Sequence, residues 1–195
     1  MTDRPGTGES VINITSIVMV LLLAGITTLF LGLTAAYLYT RITTGVHAPF
    51  PPATFFINIV VLFAGNRLLR LAYRSLDTVI YQRLKILVSG ALALTVVFGF
   101  LQVVGWLEYF GDGLSIHAST AYSYLFVLSG LHLFHVVIGL PFLVHYLIRL
   151  RANSLAVARE RRMRRTLRAI ALYWDFLDVL WVLLVVMLVV SSAIA

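Results

Sequence analysis

The 195-residue sequence has no cysteine, and only 12% of its residues are charged. The first absence excludes disulfides, thiolate metal sites and thiol catalysis. The second excludes an ordinary soluble domain, in which about a quarter of residues are charged. With 61% hydrophobic residues, the chain reads as an integral membrane protein. Acidic residues number 8 against 15 Lys and Arg, and no apolar stretch carries a file of carboxylates. That argues against a pump, which relays protons or ions through protonatable groups placed across the membrane. The net charge of +7 is no nucleic-acid signature, because the basic residues fall between apolar stretches rather than on one soluble face.

Five stretches reach the length of about 20 residues needed to cross the hydrocarbon core: residues 12–40, 53–74, 84–110, 119–148 and 169–194. The first is far too long for a signal-peptide core and reads as a retained span. Pro49, Pro51 and Pro52 suit a loop that leads into a first helical turn. Every backbone polar group must be satisfied internally in lipid, so the expected fold class is all-α: a polytopic five-helix bundle forming one domain over 1–195. Lys and Arg cluster at two connections. Arg67, Arg70, Arg74, Arg83 and Lys85 flank the second, and Arg149, Arg151, Arg159, Arg161, Arg162, Arg164, Arg165 and Arg168 the fourth; the third connection and the C-terminal tail have none. The positive-inside rule places both basic connections in the cytoplasm, with the N-terminus cytoplasmic and the C-terminus outside. Arg159, Arg161, Arg162, Arg164, Arg165 and Arg168 are in addition candidates for contacts to anionic lipid headgroups.

The fourth span, which contains YSYLFVLSGLHLFHVVIG (122–139), carries His132 and His135 at hydrocarbon depth. A polar pair there must face protein or ligand rather than lipid. The other four spans contain no histidine, so a haem clamped between imidazoles of two facing helices is excluded. The fifth span opens ALYWDFLDVLW, with Asp175 and Asp178 at the same three-residue spacing. Two imidazoles and two carboxylates resemble a divalent-ion ligand set. At a rise of about 1.5 Å per residue, His135 and Asp178 fall within a few ångströms of one level. The other arrangement is a hydrogen-bonded His–Asp clasp tying the fourth helix to the fifth, which is how intramembrane polar residues usually pair. The clasp is the expectation, and either His132 or His135 can supply the imidazole to Asp178. Asn58 and Gln102 are expected to hydrogen-bond between helices.

These motifs resemble subunit III of haem–copper terminal oxidases, in the five-helix bacterial form. LLLAGITTLFLGLTAAYLYTR (21–41) is similar to the first helix of that form, and FPPATFFIN (50–58) to its prolines followed by an asparagine. LSGLHLFHVVIGL (128–140) resembles the signature T/S-G-x-H-x-x-H-V-x-x-G, and YWDFLDVLWVLLVVML (173–188) the signature Y-W-x-F-x-D-x-x-W. Three positions depart from the pattern. Gly25 and Ile26 stand where the family carries a Ser-Glu pair linked to proton uptake. Gly105 replaces the acid of Q-x-x-E-W, and Asp175 a common histidine.

The resemblance implies an accessory subunit without redox centre, catalytic residue, metal or cofactor of its own, packed against catalytic subunits I and II of an oxygen reductase. Haems and copper are then expected in those partners, and structural phospholipids on this chain. The implied location is a bacterial cytoplasmic membrane, with a place in a respiratory supercomplex compatible, and the electron donor either cytochrome c or quinol. The missing glutamate argues against a proton-antenna role and leaves packing and lipid retention. Two rivals stand beside this reading: a subunit III-like partner of a nitric oxide reductase, and an independent membrane metal-binding or transport protein using His132, His135, Asp175 and Asp178.

Overall fold

The computed structural model describes residues 14–45, 50–77, 81–111, 120–152 and 161–193. These form five helices: α1 (Ile14–Thr44), α2 (Ala53–Arg74), α3 (Tyr81–Gly111), α4 (Thr120–Ala152) and α5 (Arg161–Ala193), with one 3-10 turn at Ser75–Asp77. Each is long and apolar enough to cross a membrane, so the chain is an all-α, multi-pass membrane protein. The helices overrun the apolar spans, and α5 begins eight residues, about two turns, before the hydrophobic stretch at 169. Its arginine-rich approach is helical although polar.

Local chemistry sets the ends. Pro52, with φ −67° and ψ 159°, is the extended residue before α2, and its carbonyl accepts the Phe55 N–H at 3.0 Å. Gly45 closes α1 in the left-handed region at φ 68°, where a side chain would be strained, and its N–H bonds the Arg41 carbonyl at 2.9 Å. Pro141 lies inside α4 and removes one backbone donor there.

α2, α3, α4 and α5 close a ring in which each packs on the next and α5 returns to α2; α1 lies outside it, against α4 and to a lesser extent α5. The buried face of α5 follows a four-three alternation: Met163, Leu167, Ile170, Trp174, Leu177, Trp181, Leu184, Leu188 and Ser191. That period of 3.5 keeps one seam facing its neighbours along a left-handed bundle. α3 repeats it with Leu84, Val88, Ala91, Thr95, Phe98 and Gln102. In α1, by contrast, only Ile26, Phe30 and Tyr37 are fully buried among the described side chains. One side of α1 is left for lipid or another chain.

Two glycines let helices close up. A Cβ at Gly139 of α4 would lie 2.8 Å from both the Trp174 and the Tyr173 rings of α5, and one at Gly105 of α3 2.7 Å from Thr54 Oγ1 and 2.8 Å from the Phe55 ring of α2. Overpacking of this kind costs about 1–3 kcal/mol. Gly139→Ala is therefore expected to lower the unfolding free energy in detergent by that amount, and the unfolding midpoint with it. Gly25→Ala, which meets nothing within 4 Å, is expected to leave it unchanged. Equal midpoints for the two variants would contradict the packing described here.

Candidate functional site

The motif YWDFLDVLW lies at the middle of α5 and sends hydrogen bonds to three of the other four helices. Tyr173 Oη donates to the His135 carbonyl of α4 at 2.8 Å. Gly139, one turn further along α4, offers no side chain to block that ring. Trp174 Nε1 donates to Thr95 Oγ1 of α3 at 3.2 Å, and Trp181 Nε1 to the Phe55 carbonyl of α2 at 3.3 Å. Near the far end of α5, Ser191 bonds Tyr37 of α1, so every helix is tied to α5. In lipid each such bond is worth about 0.6–2 kcal/mol, because no water competes for the groups.

His132 is fully buried, with neither ring nitrogen hydrogen-bonded among the described residues. Its ring is boxed by Trp181 of α5 (centroids 5.0 Å), Phe98 of α3 (5.7 Å) and Phe30 of α1 (6.5 Å). Edge-to-face contacts with Phe98 and Phe30, at 77° and 79°, set the positive ring edge against a π face. His135 is half-buried. Its Nδ1 donates to the Leu131 carbonyl one turn back at 2.7 Å, and its ring meets Phe30 at 5.9 Å.

The carboxylates turn away from the histidines. Asp175 accepts from Asn66 of α2 and from Arg70, whose Nε lies 2.9 Å and Nη2 2.5 Å from Oδ1. Asp178 is buried, and neither of its oxygens is hydrogen-bonded among the described residues; the polar and charged groups around it are Asn66, Asp175 and Arg70. The expected His–Asp clasp is thus corrected: neither His132 nor His135 pairs with Asp178. The reason is azimuth and charge. The α4-facing side of α5 is filled by Tyr173 and Trp174 closing on Gly139, and a guanidinium on α2 attracts a carboxylate more strongly than a neutral imidazole does. Among the described residues no three His, Cys, Asp or Glu side chains converge as metal ligands.

Asn58 Nδ2 donates to Gln102 Oε1 at 3.4 Å, linking α2 to α3. Of the candidate headgroup arginines, Arg159 lies outside the described residues, Arg161 and Arg162 open α5, Arg164 is half-buried, and Arg165 and Arg168 are exposed. Sequence reasoning missed Asn66, Thr95, Tyr37 and Ser191. Two of them stand at seam spacing from a polar residue already singled out: Thr95 is seven residues before Gln102, and Asn66 eight after Asn58.

Two double-mutant cycles separate these arrangements. Arg70→Gln with Asp175→Asn is expected to couple by about 1 kcal/mol, a modest value because the two side chains are 49% and 28% exposed. His135→Ala with Asp178→Ala is expected to be additive, and coupling there would restore the clasp.

The cytochrome c oxidase subunit III family matches this chain over residues 17–192. The haem–copper oxidase subunit I+III of Aeropyrum pernix is 27% identical over 127 residues, 65% of this chain and 15% of that protein. Cytochrome c oxidase subunit 3 of Paracentrotus lividus is 39% identical over 98 residues, 49% of this chain and 36% of that one. Quinol oxidase subunit 3 of Bacillus spizizenii is 32% identical over 81 residues, 42% of this chain and 38% of that one. Each match spans less than two fifths of the relative's own length. The family match takes in all but a few residues at either end, including the histidine pair of α4 and the tryptophan–aspartate motif of α5; the chain belongs to the subunit III family of haem–copper oxidases.

Proposed function

We propose that this chain is the accessory, non-redox subunit III of a respiratory haem–copper oxygen reductase, seated in a bacterial cytoplasmic membrane beside catalytic subunits I and II. The observation that carries this reading is the family match over residues 17–192. The name of the Aeropyrum pernix relative, subunit I+III, supports a catalytic subunit I as neighbour. The geometry agrees with a structural role. The side chains of both motifs are spent on packing and interhelical bonds, in a single membrane domain.

In this role the chain supplies a rigid apolar wall and holds lipid beside the catalytic subunits, while haems and copper reside in those subunits. Its basic connections lie on the cytoplasmic side, with the N-terminus inside and the C-terminus outside. Ile26, where the family carries a glutamate, is buried and only 4% exposed. An apolar side chain cannot relay a proton, so support of turnover rests on packing and lipid retention.

Deleting the chain from the organism's oxidase is expected to leave the haem absorption spectrum intact and to accelerate inactivation during turnover. Loss of haem on deletion would assign the chain a direct part in building the redox centre and would overturn this reading.

A further inference from the structure

Asp178 lies nine residues, about 14 Å, beyond the start of the apolar stretch at 169, close to the middle of a hydrocarbon slab about 30 Å thick. It is 2% exposed, and neither carboxyl oxygen meets a donor among the described residues. The charged groups that act on it are Asp175 of its own helix and Arg70 of α2, and its polar neighbour is Asn66. Other donors of the motifs are spent elsewhere. The Trp174 and Trp181 indoles bond Thr95 and the Phe55 carbonyl, the Tyr173 phenol bonds the His135 carbonyl, and His135 Nδ1 the Leu131 carbonyl. His132 is enclosed by aromatic rings.

Asn66 is 4% exposed and neighbours both carboxyl groups. Its Nδ2 is given to Asp175, and its Oδ1 has no partner among the described residues. Three buried acceptor oxygens, two on Asp178 and one on Asn66, are thus gathered without a donor. Neighbouring acceptors repel, and a single proton on one of them turns the repulsion into a hydrogen bond. The charge count gives the same answer. Arg70 carries one positive charge, and Asp175 already answers it through Nε at 2.9 Å and Nη2 at 2.5 Å. A second carboxylate would leave an uncompensated negative charge at the depth where it costs most, and a buried charge in that position neutralises instead. With a proton on Asp178, the three side chains sum to zero. A metal cation is the other species that such oxygens hold. Arg70 already fixes a positive charge beside them, and among the described residues no three carboxyl or imidazole side chains converge. A proton needs neither open space nor further ligands.

We propose that Asp178 is a proton-binding site: it stands in the bundle as a carboxylic acid and donates its proton to Asn66 Oδ1, tying α5 to α2 at mid-membrane without net charge. The proton exchanges with water by way of Asp175, whose side chain is 28% exposed and lines the cavity between α2 and α5. Beyond Asp178, one turn along α5, Trp181 is packed against Phe55 and Phe98, so the proton is held and not passed on. The site depends on the chain crossing a membrane and not on the oxidase role, so it stands or falls separately from the deletion experiment above.

The test is infrared spectroscopy of the full-length chain, delipidated in dodecyl maltoside, which has no ester carbonyl to overlap the acid band. At neutral pH one carboxylic-acid carbonyl band is expected, moving to lower frequency in heavy water as its proton exchanges. Asp178→Asn is expected to abolish the band and to keep the fold, because its amide N–H donates to the same Asn66 oxygen. Asn66→Leu keeps the acid and removes its acceptor, so the band is expected to survive at higher frequency. This second variant carries the test should Asp178→Asn fail to fold. Absence of an acid band in the unsubstituted chain would mean that Asp178 is ionised. A band that survives Asp178→Asn would place the proton on another carboxyl group, with loss in Asp175→Asn naming that residue. A band removed by sodium chloride and kept in choline chloride would make this a metal-cation site. Any of the three overturns the proposal.

Discussion

Inside hydrocarbon a polar group has no water to fall back on, and the bundle is arranged around that constraint. α5 carries Tyr173, Trp174, Asp175, Trp181 and Ser191, and each meets a partner on a neighbouring helix; Asp178 alone of its buried polar side chains has none among the described residues. Tyr173 reaches a backbone carbonyl of α4, Trp174 a threonine of α3, Trp181 a carbonyl of α2, and Ser191 the phenol of Tyr37 on α1. Because lipid tails are as apolar as leucine, burial alone gives these helices little reason to associate. The hydrogen bonds and the close approaches at Gly105 and Gly139 therefore set which faces meet.

That arrangement also accommodates two of the departures from the pattern, Gly105 and Asp175. Gly105 stands where the motif it resembles has an acid, and the space beside it is occupied by Thr54 and Phe55. An acidic side chain there would displace the Thr54 and Phe55 side chains of α2. Glu108, one turn further on, instead receives the Thr54 hydroxyl at 3.3 Å. Asp175, where the motif it resembles commonly has a histidine, faces Arg70 and Asn66, so its charge is matched by the polar residues of α2.

The five spans, their order and their helical nature were legible in the sequence, because length and hydropathy report directly on a slab about 30 Å thick. The helix ends were less so. The arginines before Leu167 look like a loop by hydropathy but continue α5, since a helix need not stop where the hydrocarbon does. The candidate site was half legible. His132 and His135 stood out as polar residues at the wrong depth, and depth placed His135 level with Asp178. Azimuth was invisible: each span is apolar on all sides, so hydropathy does not say which face turns inward. Lone small and polar residues carry that information. Thr95, Gln102 and Gly105 lie on one seam of α3, and they name its inner face better than any of its leucines. With that signal Asp175 and Asp178 would have been turned toward Asn66, and the histidines left to Phe30, Phe98 and Trp181.

A wall of this kind has its use in what it stands against, and the exposed apolar side of α1 is available for such a contact. The most direct measurement is affinity purification of the full-length chain from its own membrane in mild detergent, with identification of the co-purifying chains and an absorption spectrum of the eluate. Catalytic subunits I and II are expected in stoichiometric amounts, with a haem spectrum belonging to them. A chain that purifies alone with a stoichiometric metal, released by His135→Ala, would contradict it.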